Sequence, residues 1–238
     1  MGVHVLTTES GGWVETFDPV AVGPATGTES LDEIDAQISR LFALVVAGLE
    51  AATCAFLTGD PLAARRVVKA EAFVDELHHG IEALVARQLR LISDGIGREG
   101  LTRLVLALRI VPELERSGDL VEHIAARSSA VTVAQLPPPV PQLLRQMSDL
   151  GVELWRRAAG AFGGVDLSTA AELRSMVDAL DDLHVQLCEE LASLELSVAV
   201  AIEMGLVARF YERLGDHAVN VARRVDDVER RMLEVGRP

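Results

Sequence analysis

Two short strings carry the residues best suited to chemistry: Glu115-Arg116-Ser117-Gly118-Asp119 and, 97 residues later, Glu212-Arg213-Leu214-Gly215-Asp216. Each sets two carboxylates four positions apart, which on a helix places both on one face. Upstream in each half lies a second pair at the same spacing, Glu71 with Asp75 and Asp178 with Asp182. Like charges so placed oppose helix formation, and four carboxylates facing one another are worse unless a cation lies between them or some hold a proton. Oxygen ligands with no thiolates suit a hard cation such as Fe(III), Mn(II), Mg(II) or Ca(II), and the residue types do not choose among these. The plain alternative is that the acids line solvated faces and pair with Arg116, Arg213 and their neighbours.

Spacing alone decides little in a chain with 36 acidic residues, so relative placement carries the argument. In an antiparallel hairpin, residues at equal height share a midpoint. Pairing Glu71 with Asp119 and Asp75 with Glu115 gives midpoint 95 both times, and Gly95 lies in a turn-like Asp94-Gly95-Ile96-Gly97 run. Pairing Asp178 with Asp216 and Asp182 with Glu212 gives Ser197, in a stretch without Gly or Pro. The second hairpin is the shorter. Gly118 and Gly215 fall inside helices, where Gly costs about 1 kcal/mol against Ala, so a close neighbour or ligand is expected there.

The elements that must hold these residues are helical almost throughout. Ser30 and Glu33 form a capping box ahead of Leu31, Ile34, Ile38, Leu41, Phe42 and Val45, predicting a first helix over 30–58. Asp60-Pro61 caps and opens a second, to about Ser93. Leu101, Leu104, Val105, Leu108 and Val111 begin a third, reaching about Val131 with Pro112 inside it as a kink. The proline-rich run Leu136–Pro141 reads as a linker. The plan then recurs: a helix over 142–162, a break at Gly163-Gly164-Val165-Asp166, a helix over 168–194 and a last one to about 235. The expected fold is all-α, two tandem three-helix bundles related by internal duplication. Residues 1–28 form an N-terminal extension, 29–133 the first bundle, 134–141 the linker and 142–238 the second bundle.

Composition bounds the function. The 238 residues hold 22 basic side chains against 36 acidic, a formal charge of -14, which argues against gripping nucleic-acid phosphates and for cationic partners or bound metal. Cys54 and Cys188 are isolated, predicting structural thiols in a reducing cytoplasm rather than a disulfide framework. The apolar stretches Leu41–Leu57 and Leu194–Tyr211 are broken by Glu50 and by Glu195 and Glu203, so no transmembrane helix is expected.

The repeated E-R-x-G-D strings, the following Ile124-Ala125 and Val221-Ala222, and the matched Glu71/Asp75 and Asp178/Asp182 pairs resemble the PhoU family of bacterial phosphate-transport and phosphate-signalling regulators. The resemblance covers about 30–230. It implies a multinuclear metal cluster, iron or zinc, on each bundle, held by Glu71, Asp75, Glu115 and Asp119 in one and by Asp178, Asp182, Glu212 and Asp216 in the other. It implies a non-enzymatic role: contact between the ATPase side of a phosphate ABC transporter and a sensor histidine kinase, holding starvation signalling off when phosphate is plentiful. The protein would then sit at the membrane through its partners, with homodimerisation left open. Two alternatives stand beside this. A ferritin-like di-iron protein is suggested by Glu76-Leu77-His78-His79 and Asp181-Asp182-Leu183-His184, and a metal-free helical adaptor needs neither motif. His79, one turn beyond Asp75, is a further candidate ligand, while His184 and His217 read as ordinary histidines.

Overall fold

The computed structural model describes residues 27–90, 96–164 and 170–235. Six helices account for nearly all of them: α1 (Gly27–Thr58), α2 (Pro61–Arg90), α3 (Arg98–Ala126), α4 (Pro139–Phe162), α5 (Ala170–Ala192) and α6 (Val198–Val235). Helices α1–α3 form one bundle and α4–α6 a second, as the duplicated pattern predicts. Residues 1–26 of the expected N-terminal extension, Gly95 and the Val165-Asp166 part of the expected break lie outside the described residues, while Gly27 and Thr28, expected in the extension, open α1.

Local chemistry sets most boundaries. The Asp60 carboxylate accepts from the amides of Leu62 at 2.8 Å and Ala63 at 3.1 Å, and those bonds hold its pKa below the ordinary value. Gly59, at φ 68°, takes the left-handed conformation that closes α1, its amide reaching the Ala55 carbonyl at 2.9 Å. The capping-box expectation is corrected: α1 begins at Gly27, so Ser30 lies in its first turn and not at its cap. Helix α3 ends at Ala126, before the expected Val131, and gives way to two single 3-10 turns, Arg127–Ser129 and Val133–Gln135. The run read as a linker supplies the start of α4, since Pro139 occupies the first helical turn, where a missing N–H costs nothing. The α5–α6 turn has no glycine. Serines serve instead, with Ser193 Oγ donating to the Glu190 carbonyl at 2.7 Å and Ser197 Oγ accepting from the Val200 amide at 3.3 Å.

The two bundles share one core. Helix α1 packs on α2 and α3 and also on α4, and α3 packs along α6. Trp155 of α4 is fully buried against Phe42 of α1, ring centroids 6.1 Å apart, and Phe42 also meets Phe162 at 5.6 Å. Nearby, the Thr53 and Tyr211 hydroxyls lie 2.7 Å apart and Ser148 Oγ donates to Thr53 Oγ1 at 2.9 Å, a buried polar knot joining α1, α6 and α4. Burial pushes the Tyr211 phenol far above its usual pKa, so it stays protonated.

Helix α1 bears on the membrane question. Within Leu31–Thr58 its most apolar 18-residue window has a mean hydropathy of 2.0, long and apolar enough to cross a bilayer, although the Leu41–Leu57 stretch here was expected not to. Its Ile34, Ile38, Leu41, Phe42, Val45 and Leu49 are instead buried in the bundle core.

Candidate carboxylate sites

The first site forms where α2 and α3 face each other. Glu71, Asp75, Glu115 and Asp119 are all half-buried along this seam, at the matching heights the midpoint argument predicts. Burial raises the pKa of Glu71, reinforced by the negative charges of Asp75 and Asp119. Burial also raises that of Glu115, with Asp119 adding to the effect while His78 and Arg116 oppose it. Gly118 explains the close approach. A Cβ there would stand 2.9 Å from the Val74 side chain, so the glycine lets α3 settle onto α2 between the acids.

His79 does not join this seam. Its Nδ1 is 2.7 Å from the Asp75 backbone carbonyl and the ring is exposed. The neighbouring His78, half-buried, faces Glu115 and sits 3.3 Å from Glu82. Glu76 is exposed as well, which removes the Glu76-x-x-His79 string from any bundle core.

The second site repeats the first with one change of face. Gly215 again marks the closest approach, since a Cβ there would lie 2.7 Å from Leu180 Cδ2. Asp181, and not Asp182, is the carboxylate that meets Glu212 and Asp216. Asp181 is half-buried, and its pKa is raised by burial and then by Glu212, Asp216 and Asp178, whereas Asp182 is exposed. The buried stripe of α5, Leu173, Val177, Leu180 and Leu187, turns position 181 toward α6 and carries 182 about 100° further round. That stripe is readable in the sequence, and its phase would have selected Asp181. Asp178 is exposed but close enough for its charge to act on Asp181.

Glu212 is the most engaged acid of this set. Arg209 Nη1 donates to Glu212 Oε1, and His184 Nδ1 lies 3.3 Å from Oε2, so His184 belongs to the site after all. Even so, Asp181 Oδ1 is buried without a hydrogen-bond partner, and Glu212 Oε2 has only the His184 contact. Buried carboxylate oxygens in that state are costly and suit a cation. Among the described residues, no group of three or more His, Cys, Asp or Glu side chains is placed to hold a metal ion.

A third ionic group went unforeseen. Glu113, almost wholly buried on α3, bonds to His217 Nδ1 of α6, and Arg224 Nη2 of α6 lies 2.8 Å from its other oxygen. These partners hold the Glu113 carboxyl below the ordinary range against the opposing effect of burial. A second correction concerns the thiols: Cys54 and Cys188 are free, as expected, but both are exposed.

The raised carboxyl pKa values fix a sign for pH dependence. Where the folded pKa exceeds the unfolded one, the group's contribution is fully present below the ordinary carboxylate range and is lost as pH rises through the folded value. In chelator-treated protein, Glu71, Glu115 and Asp181 should therefore lower stability from about pH 4 upward. Thermal melts of wild type against Glu115→Gln/Asp181→Asn are expected to diverge with rising pH, the variant gaining relative to wild type. Parallel pH profiles would show that the acids do not repel one another.

The paired seams define the class: a tandem helical-bundle protein that presents a carboxylate face on each repeat. The PhoU domain model matches residues 38–128 and 144–225, once per bundle. A Mycobacterium tuberculosis protein named phosphate-specific transport system accessory protein PhoU homolog 2 is 34% identical over 205 residues, covering 83% of this chain and 93% of that protein. A Mycobacterium leprae PhoU homolog 1 is 31% identical over 204 residues, covering 83% and 89%. The crystal structure of PhoU from Pseudomonas aeruginosa superposes with a TM-score of 0.77 at 19% identity, covering 86% of this chain and 99% of that one. That of the phosphate transport system regulatory protein PhoU from Streptococcus pneumoniae gives 0.74 at 21%, covering 86% and 97%. This chain belongs to the PhoU family.

Proposed function

We propose that this protein is a non-enzymatic, cytoplasmic regulator of phosphate uptake and phosphate-starvation signalling. It acts by docking between the ATPase subunit of a phosphate transporter and a sensor histidine kinase, and it restrains the starvation response when phosphate is plentiful. The observation that carries this reading is the carboxylate seam repeated on both bundles of a chain whose relatives are named as accessory proteins of phosphate-specific transport. Glu71, Asp75, Glu115 and Asp119 would hold a metal cluster, iron or zinc, on the first bundle. Asp178, Asp181, Glu212 and Asp216, with His184 beside them, would do so on the second, with Asp182 outside the set. A bound cation would neutralise the converging charge and fix each seam, and no bond-breaking step is required of it.

The unpartnered buried oxygen of Asp181 favours this over a metal-free adaptor. The exposed Glu76 and His79 disfavour the ferritin-like alternative. Metal analysis of natively purified protein is the direct test: Glu115→Ala/Asp119→Ala should lose about half the bound metal if the two sites fill alike. Unchanged metal content would remove the first site from the proposal. For the regulatory role, deleting the gene should raise phosphate-starvation gene expression in phosphate-rich medium, and expression that stays low would count against it.

A further inference from the structure

A basic groove lies where α3 meets α6 at the junction of the two bundles. It is an open groove of about 440 Å3 lined by Leu108, Arg109, Pro112, Glu113, Arg116 and Arg224. Three guanidinium groups meet one carboxylate there, in a chain whose acids outnumber its bases by 36 to 22. That carboxylate, Glu113, is already committed to His217 and Arg224. The Arg116 side chain is 58% exposed, with its nearest acidic oxygen, on Glu113, 4.0 Å away. Arg109 is exposed, and its guanidinium has no ion-pair partner among the described residues.

Pro112 has a part in shaping the groove. It cannot donate to the Leu108 carbonyl, which opens the α3 hydrogen-bond ladder on this side. Arg224 of the other bundle donates to the neighbouring Arg109 carbonyl, so its guanidinium is held at the groove wall by both that oxygen and Glu113. One of the three cations is thereby fixed in place, and the other two are available.

We propose that this groove binds an oligophosphate, a ligand with two or more linked phosphoryl groups. Arg109 and Arg116 are seven residues apart, about 10 Å along the helix, a spacing suited to a chain of phosphoryl groups rather than to one tetrahedral anion. Guanidinium forks match phosphate oxygens in geometry and charge. Leu108, 48% exposed, and Pro112 form an apolar wall where the base of a nucleotide could rest. The ligand would contact both bundles at once, through Arg109 and Arg116 of α3 and Arg224 of α6.

Calorimetric titration of the full chain with tripolyphosphate, ATP and orthophosphate tests this. Tripolyphosphate should bind saturably, and Arg109→Gln/Arg116→Gln should weaken it by about tenfold or more without changing the melting temperature. Asp181→Asn, at a carboxylate seam, should leave binding intact. Tighter binding of ATP than tripolyphosphate, lost on Leu108→Asn, would identify a nucleotide as the source. Equal binding that is indifferent to Leu108→Asn would identify the bare phosphate chain. The proposal is overturned by an absence of saturable binding, by unchanged affinity in the arginine double variant, by orthophosphate binding as tightly as tripolyphosphate, or by loss of binding in Asp181→Asn. The last outcome would mean that metal at the seams captures the phosphate, and would leave the proposed metal sites standing.

Discussion

Trp155→Ala should lower unfolding stability by about 3–5 kcal/mol, the usual range for deleting a buried indole. Trp155 is fully enclosed and wedges α4 against Phe42 of α1, so the cavity opens between the bundles and not within one. Urea unfolding followed by far-ultraviolet circular dichroism would measure the loss. Because the core runs through both halves, wild type should unfold in one transition, with calorimetric and van't Hoff enthalpies in agreement. Two resolved transitions in wild type would mean that the shared core is not cooperative. Trp155→Phe should cost much less. It keeps a ring against Phe42 and removes an indole N–H that is buried without a partner.

The second large effect is expected at Glu113. Its side chain is 6% exposed between His217 and Arg224, whose side chains are 12% and 28% exposed. Glu113→Ala leaves those groups facing a void without their carboxylate, and breaking one side of a buried pair typically costs about 3 kcal/mol or more. Partial exposure of Arg224 places the expectation at the lower end. A double-mutant cycle with Arg224→Met should show coupling, the second substitution costing little once Glu113 is gone. Additive losses would show that Arg224 is solvated rather than paired. The pH sign is opposite to that of the seam acids. The Glu113 carboxyl is held below its ordinary pKa, so its contribution is present above the carboxylate range and is lost as pH falls through the folded value. Acidification should therefore loosen the bundle junction while relieving repulsion at the seams.

How much of this the sequence disclosed follows from which forces are local. Helix existence, the Asp60 cap and the all-α class follow from patterns a few residues long, and each appears in the structure. Heights along a hairpin are set by counting, so the Glu71, Asp75, Glu115 and Asp119 seam was legible, as was the level of the second one. Facing direction is not set by counting. Choosing Asp182 over Asp181 followed the i,i+4 spacing of Asp178 when the Leu173, Val177, Leu180 and Leu187 stripe already fixed which side of α5 meets α6. The packing of the bundles on one another was least legible. Leu136–Pro141 suggested separation, but prolines also open helices, and those at 139 and 141 begin α4 within reach of α1. Glu113 lies more than a hundred positions from both His217 and Arg224, and no short-range pattern announces such a meeting.

Neighbouring positions on α6 serve different partners. Asp216 acts on Asp181 of its own bundle, while His217, one peptide further on, holds Glu113 of the other. On α3 the same division separates Glu115, turned to α2, from Glu113, turned to α6. Each of these helices is thus an axle with the seam on one side and the junction on another, the two directions about 100° apart for the consecutive residues of α6 and about 160° apart for Glu113 and Glu115 of α3. Torque about the axle is shared between them. A rotation of α6 that swings Asp216 toward α5 carries His217 through the same angle relative to Glu113, so a few degrees gained at one seam are registered at the grip between the bundles.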